Sequence, residues 1–127
     1  MNSEQTKTII EAYLNAYNSF DVEGMLNLLH EDVIFRNFAN GELNMETKGK
    51  EEFKQLAEQS TKMFSSRRQT ITDYRTNEDN VEIEIDYEGT LAVDLPNGLK
   101  SGERLQLKGK SVFAFKDGKI AVIEDYS

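Results

Sequence analysis

Residues Lys110 to Tyr126, KSVFAFKDGKIAVIEDY, decide the fold. Two runs of strongly β-forming residues flank Lys116-Asp117-Gly118, a tight-turn signal, so the segment reads as a β-hairpin. The second run ends in adjacent carboxylates, Glu124 and Asp125. Neighbours in a strand point to opposite faces, so one of the two looks into whatever the sheet encloses. A two-residue Asp117-Gly118 loop would put Glu124 on the face of Phe113. A three-residue Lys116-Asp117-Gly118 loop, with Gly118 left-handed, would put Asp125 there.

Upstream, Val81-Glu82-Ile83-Glu84-Ile85-Asp86-Tyr87-Glu88 alternates strictly, apolar on odd numbers and acidic on even ones. That pattern predicts one packed face and one wet face. The returning strand keeps the phase, with Leu105, Leu107, Gly109, Ser111, Phe113 and Phe115 inward. Arg104, Gln106, Lys108 and Lys110 then lie roughly opposite Glu82, Glu84, Asp86 and Glu88, a charge match that favours the antiparallel pairing. The turn between these strands is read at Leu95-Pro96-Asn97-Gly98.

The first half of the chain is helical in period. Ile9, Ile10, Tyr13, Leu14 and Tyr17 share one face of a helix running from about Ser3 to Ser19, capped by Asn2 or Ser3. Asp21 caps a short second helix carrying Met25, Leu26, Leu28 and Leu29, with His30 at its end. Val33 to Phe38 is a short strand, and Gly41 marks a turn. Gly49 starts a third helix with a buried stripe of Phe53, Leu56, Ala57, Ser60, Met63 and Phe64. Strands run from Ser66 onward. Helices gathered at one end and strands at the other predict an α+β layer fold: a curved, mixed but largely antiparallel sheet with three helices in the N-terminal half. Together they form a cone with an internal pocket, as a single domain spanning residues 1–127.

Composition narrows the function. With no cysteine among 127 residues, disulfides, thiolate nucleophiles and cysteine-metal sites are excluded. A net charge of −8 argues against a nucleic-acid partner, since phosphate binding needs a basic face. The adjacent Arg67-Arg68 pair reads as a solvated strand end. His30 is the lone histidine and has no clustered partners, so no metal site is expected. The polar start and the lack of a long apolar run give no membrane partner, and a cytoplasmic protein is the default expectation.

Several motifs in order resemble one superfamily: Ala12-Tyr13-Leu14, Asp21-Val22-Glu23-Gly24, Leu29-His30-Glu31-Asp32-Val33, Gly49 opening helix 3, and Phe113-Ala114-Phe115-Lys116-Asp117-Gly118-Lys119-Ile120. The chain resembles the nuclear transport factor 2-like superfamily, and within it the SnoaL-like and ketosteroid isomerase-like cone folds. That superfamily holds isomerases, cyclases, hydrolases, dehydratases and non-catalytic binding modules. By similarity, the isomerase tyrosine falls on Tyr13, its base on Asn37 and its acid donor on Ser111. Asn37 and Ser111 stand where the isomerases carry their two carboxyl groups, so the standard isomerase chemistry is rejected. The polyketide-cyclase and limonene epoxide hydrolase relatives use an acid on the last strand, at a position similar to Asp125. The epoxide hydrolase asparagine falls on Asn37 and its tyrosine on Phe35, whereas its arginine and second aspartate fall on Glu88 and Thr90. The resemblance favours the hairpin register with Asp125 inward.

The expected site therefore has Asp125, Asn37 and Tyr13 as catalytic candidates. Tyr17, Phe35, Tyr87, Ser111 and Phe113 are the candidate ligand wall, and no metal or cofactor is called for. Each has a plainer reading: Asn37 can satisfy nearby backbone, the tyrosines can be core, and Asp125 can end a strand in water. Ser111 has no histidine in reach for a hydrolytic triad. The expected partner is a small apolar or aromatic molecule, bound or acted on by isomerase-, cyclase- or hydrolase-type acid/base chemistry. The alternative is a non-catalytic ligand-binding or protein-interaction module. An inward Asp125 should have a raised pKa, because desolvation disfavours its anion. If Phe113, Phe115, Ile123 and Asp125 face in, Val112, Ala114, Ile120 and Val122 face out, an apolar patch that predicts a homodimer through the outer sheet face.

Overall fold

The computed structural model describes residues 2–96 and 98–127. In chain order the elements are α1 (Ser3–Asn18), α2 (Val22–Leu26), β1 (Leu29–Ala39), β2 (Glu42–Lys48), α3 (Lys50–Met63), β3 (Phe64–Thr76), β4 (Val81–Leu91), β5 (Arg104–Lys116) and β6 (Lys119–Tyr126). The strands form one six-stranded sheet in the order β2-β1-β6-β5-β4-β3. Only β1 and β6 run parallel among neighbouring pairs. The architecture is a mixed α+β fold whose curved, unclosed sheet is covered on its inner face by three helices.

Local chemistry explains the helices. Asn2 and Gln5 form a reciprocal capping box at the start of α1, worth about 1 kcal/mol. Behind it, Ile10, Tyr13 and Leu14 bury the helix's apolar face. The Asp21 carboxylate accepts from Gly24 N at 2.9 Å and caps α2. Phe53 and Ala57 are the buried residues of α3. These meet Leu29 and Val33 of β1, Ile83 and Ile85 of β4, Phe113 of β5, and Ile120 and Ile123 of β6 in one apolar cluster.

Four expectations change. The second helix stops at Leu26, and Leu29 and His30 instead open β1. There the Leu28 carbonyl accepts from Ile120 N at 2.9 Å, so pairing with β6 overrides helical period. The segment between Gly41 and Gly49 forms strand β2, a short polar edge that alternation could not reveal. Met63 is 36 % exposed because the chain turns into β3 immediately after it, and Phe64 is a strand residue. Arg67 is not a solvated strand end: it is only 5 % exposed. In the expected Leu95–Gly98 turn, Gly98 N donates to Leu95 O at 3.2 Å, while Asn97 lies outside the described residues.

The last hairpin resolves its register by a route neither loop length anticipated. Lys116 pairs with Lys119 across a two-residue turn, with Asp117 at φ 54° and Gly118 at φ 76°. Positive φ at both central residues is the primed turn whose twist suits a hairpin. That loop alone would aim Glu124 inward. However, the register shifts between Phe115↔Ile120 and Ala114↔Val122, leaving Ala121 as a bulge residue. The extra residue flips the phase of everything beyond it, so Ser111 faces Asp125 and Val112 faces Glu124. Ile120 precedes the bulge and stays in phase with Phe115, so it is buried rather than on the outer face.

Candidate functional site

The sheet pairs Asn37 with Asp125 and Asp125 with Ser111, so one row crosses β1, β6 and β5. The parallel row of Phe35, Ile123 and Phe113 supports it from below. Above these rows lies a cavity of about 660 Å³. Tyr13, Tyr17, Phe35, Asn37, Tyr87, Ser111, Phe113 and Asp125 all line it. The strand pairing and the α1 face thus bring all eight sequence-named residues to one space.

Asp125 carries the most unusual environment in this wall. Its Oδ1 accepts the Ser111 hydroxyl at 2.6 Å. Burial raises its pKa from 3.8 to about 6, and the serine hydrogen bond opposes part of that rise. Protein surrounds the carboxyl, but its cavity side is open, since the whole residue is only half-buried. No basic side chain forms an ion pair with it among the described residues. A carboxyl with its pKa raised toward neutrality in a cleft is a candidate for proton transfer.

Tyr13 packs edge-on against Phe113, with ring centroids 6.0 Å apart. Burial first, then the nearby Asp125 carboxylate, pushes its hydroxyl well above the usual phenol range, with Arg67 pulling the other way. It therefore remains a proton donor at any ordinary pH. The Tyr17 hydroxyl donates to the Tyr87 hydroxyl at 3.1 Å, joining α1 to β4 across the cavity. Asn37 is held differently from what a water-positioning role would suggest: its Nδ2 donates to Asn44 Oδ1 at 2.8 Å, on the neighbouring edge strand.

Other positions suggested by resemblance are occupied otherwise. Glu88 is exposed and ion-pairs with Arg104 at 2.9 Å on the wet face, so no acid–arginine relay reaches the cavity from β4. His30 sits in β1, where its Nδ1 accepts from Asp32 N at 3.0 Å and its Nε2 lies 3.5 Å from the Asp117 carboxylate. No cluster of three or more potential metal ligands exists among the described residues.

Arg67, Phe64, Ser60 and Gln69 also line the cavity; from sequence, Ser60 and Phe64 read as helix core, Arg67 as a solvated strand end, and Gln69 carried no reading. A signal existed for Arg67: it pairs with Gly89, and Gln69 and Ile71 follow in the same inward phase opposite Tyr87 and Ile85. Gly89 itself makes room for Phe64, because a Cβ there would lie 2.8 Å from the Phe64 ring.

Residues 10–123 match the SnoaL-like domain family. The chain belongs to the SnoaL-like family. Among solved structures, this SnoaL-like chain is similar to a provisionally assigned polyketide cyclase from Xanthomonas campestris pv. campestris, with 22% identity and a TM-score of 0.79. That match covers 100% of this chain and 93% of the other. A second provisionally assigned polyketide cyclase, from Pseudomonas putida, is 26% identical with a TM-score of 0.74 over 94% of this chain and 88% of its own. A nuclear transport factor 2-like protein of unknown function from Burkholderia pseudomallei is 18% identical, with a TM-score of 0.78 over 98% and 90% of the two chains. No curated protein sequence matches this SnoaL-like chain. No helix among its described residues is long and apolar enough to cross a membrane.

Proposed function

We propose that the chain binds a small, mostly apolar carbonyl compound in its cavity and moves a proton on it without a cofactor, in a cyclase- or isomerase-type reaction. The observation that carries this reading is Asp125: a cavity-facing carboxyl with a pKa of about 6, one hydroxyl partner and no ion pair among the described residues. The family membership and the similarity to provisionally assigned polyketide cyclases support the same class of chemistry.

In this mechanism the Asp125 carboxylate takes a proton from a carbon next to a carbonyl. The electron pair moves onto the carbonyl oxygen, which accepts a hydrogen bond from the Tyr13 hydroxyl as charge develops there. The enolate then either reprotonates at another position or attacks an internal carbonyl carbon. In the second case the protonated Asp125 returns its proton to the new alkoxide. Ser111 holds one oxygen of the carboxyl and leaves the other free to react. Asn37, tied to Asn44, helps shape the wall and orients the ligand through the remainder of its amide. Phe35, Tyr17, Tyr87 and Phe113 supply the apolar body of the site, as small-molecule pockets generally require.

The test is proton exchange in heavy water. Wild-type protein should speed deuterium uptake beside the carbonyl of aromatic ketones and β-keto esters, followed by NMR, and Asp125→Asn should lose that activity. Ligands that bind without any exchange above background in the wild type would instead favour a non-catalytic binding module.

We also propose that two copies associate through the outer sheet face, where Val112, Ala114 and Val122 remain half-buried. Arg36, Glu124, Glu82 and Lys110 lie around that patch and form mixed-sign ion pairs. Light scattering at micromolar concentration should give twice the chain mass, and a strictly monomeric sample removes the idea.

A further inference from the structure

Three strands across the sheet from Asp125, the cavity wall contains a second polar group that the proposed chemistry does not use. Arg67 on β3 is 5 % exposed. Its Nε donates to the Tyr17 carbonyl at 2.9 Å and its Nη1 to the Ser60 hydroxyl at 3.0 Å. Both acceptors are neutral. Its Nη2 is buried and has no hydrogen-bond partner. No carboxylate pairs with this guanidinium among the described residues.

A purely structural strut would account for Nε and Nη1, which tie β3 to the end of α1 and to α3. It does not account for an unpaired, buried cation with one nitrogen idle, because buried charge is retained at a cost unless something of opposite sign meets it. The aromatic clamp around it offsets only part of that cost. The guanidinium carbon lies 3.7 Å from the centre of the Tyr17 ring and 4.6 Å from that of Phe20. Phe20 supplies its ring from a left-handed backbone, φ 60°, which a bulky side chain adopts only under constraint. Helix α1 and its turn thus hold the guanidinium in a fixed position at the cavity wall.

We infer that the cavity takes a ligand whose apolar, aromatic body carries an anionic oxygen, and that Arg67, which lines the cavity, binds that oxygen by a small turn that opens its unpartnered Nη2, while the reacting carbon lies toward Asp125. This deepens the proposed function and rests on it, by naming the class of molecule the site selects. With Nε and Nη1 already engaged, the two-point grip of a free guanidinium on a carboxylate is unavailable. The contact is to one oxygen, which suits a carboxylate met end-on or an ionised ring hydroxyl. The Tyr13 hydroxyl feels both poles, Asp125 raising its pKa and Arg67 lowering it.

Matched pairs of probes test this by calorimetry near neutral pH: 2-naphthoate against its methyl ester, and ionised 2-hydroxy-1,4-naphthoquinone against its methoxy ether. At least one anionic probe should bind roughly tenfold or more tightly than its neutral partner, as expected for a charge-assisted hydrogen bond. The carboxylate and ring-oxyanion pairs show which source of charge fits. Arg67→Met, with Arg67→Gln as a second variant, should bring the ratio of anionic to neutral affinity within each pair down to about one, whatever the neutral-probe affinity itself does. Because either variant can weaken the tie to α1, the wild type supplies an independent readout. In arginine-labelled protein the Arg67 side-chain N–H signals should move with the anionic probe and not with the neutral one. Equal affinity for both members of each pair, or still Arg67 signals, overturns the inference and leaves the ligand cavity standing. No binding of any probe overturns both.

Discussion

Glu124 and Asp125 are consecutive carboxylates on β6, each flanked by residues that are themselves consecutive on β1 and β5. On the outer face, Glu124 stands between Arg36 and Val112; on the inner face, Asp125 stands between Asn37 and Ser111. Arg36 reaches Glu124 at 3.0 Å and Glu46 at 2.7 Å, a network spanning three strands in contact with water. Asp125 meets one hydroxyl and an apolar row. Two side chains with the same functional group thus receive opposite treatment: one is neutralised by a partner, the other is left unpaired where charge is costly. The difference lies in the sheet face alone, and the bulge at Ala121 assigns the faces.

The largest effect that could break this comparison is on chemistry. Asp125→Asn should slow ketone deuteration by about 100- to 10,000-fold, the usual worth of a positioned acid–base group. Ligand affinity should hold, since the amide has nearly the same shape and its carbonyl can still accept from Ser111. Glu124→Gln should change the same rate by less than about twofold, as its pair lies on the other face. A comparable loss in both variants would mean that the two faces are not functionally distinct.

Much of this contrast could be read from residue order. The alternation of Val81 to Glu88 and its phase match with Leu105 to Phe115 specify the central sheet, because a one-residue slip would turn every apolar side chain outward. The inward tyrosines followed from helical period on α1. Three features were not legible. A bulge has no composition signal in Ile120-Ala121-Val122, so the fate of Ile120 and the choice between Glu124 and Asp125 rested on resemblance to a family. Arg67 looked solvated because an arginine beside an arginine usually is. Only the folded positions of Tyr17, Phe20 and Ser60, distant in sequence, make its site dry. Short, polar β2 also left no periodic trace, since it is an edge strand whose partner β1 supplies the order.

The next effect is on stability, and its sign is unusual for a carboxylate. Because the folded-state pKa of Asp125 is raised to about 6 from 3.8, the native state holds this proton more tightly than the unfolded chain. Its stabilising contribution is complete below the unfolded value and is lost as pH rises through about 6. The rise from 3.8 to about 6 corresponds to an upper bound of about 3 kcal/mol. Water reaching the cavity side reduces this to about 1–2 kcal/mol. Asp125→Asn should therefore be more stable than wild type near neutral pH, with the advantage shrinking between about pH 6 and pH 4. Urea unfolding of both proteins across that range reads the difference directly. A variant that is less stable at neutral pH would show that the ionised carboxylate is held favourably after all.

The smallest effect sharpens the outer half of the comparison. Glu124→Gln removes one of the two anions on Arg36 but leaves Glu46, the closer partner. Partly exposed ion pairs contribute little, because solvent screens the attraction and ordering two long side chains costs entropy. The glutamine can still accept a hydrogen bond from the guanidinium. The expected loss is therefore below about 1 kcal/mol, and it should shrink as salt is added. In the same urea titration near neutral pH, the two neighbouring substitutions should move stability in opposite directions: Asp125→Asn up and Glu124→Gln slightly down. A gain from Glu124→Gln would place that carboxylate in an unfavourable setting too, and the division of labour between the two faces of β6 would have to be abandoned.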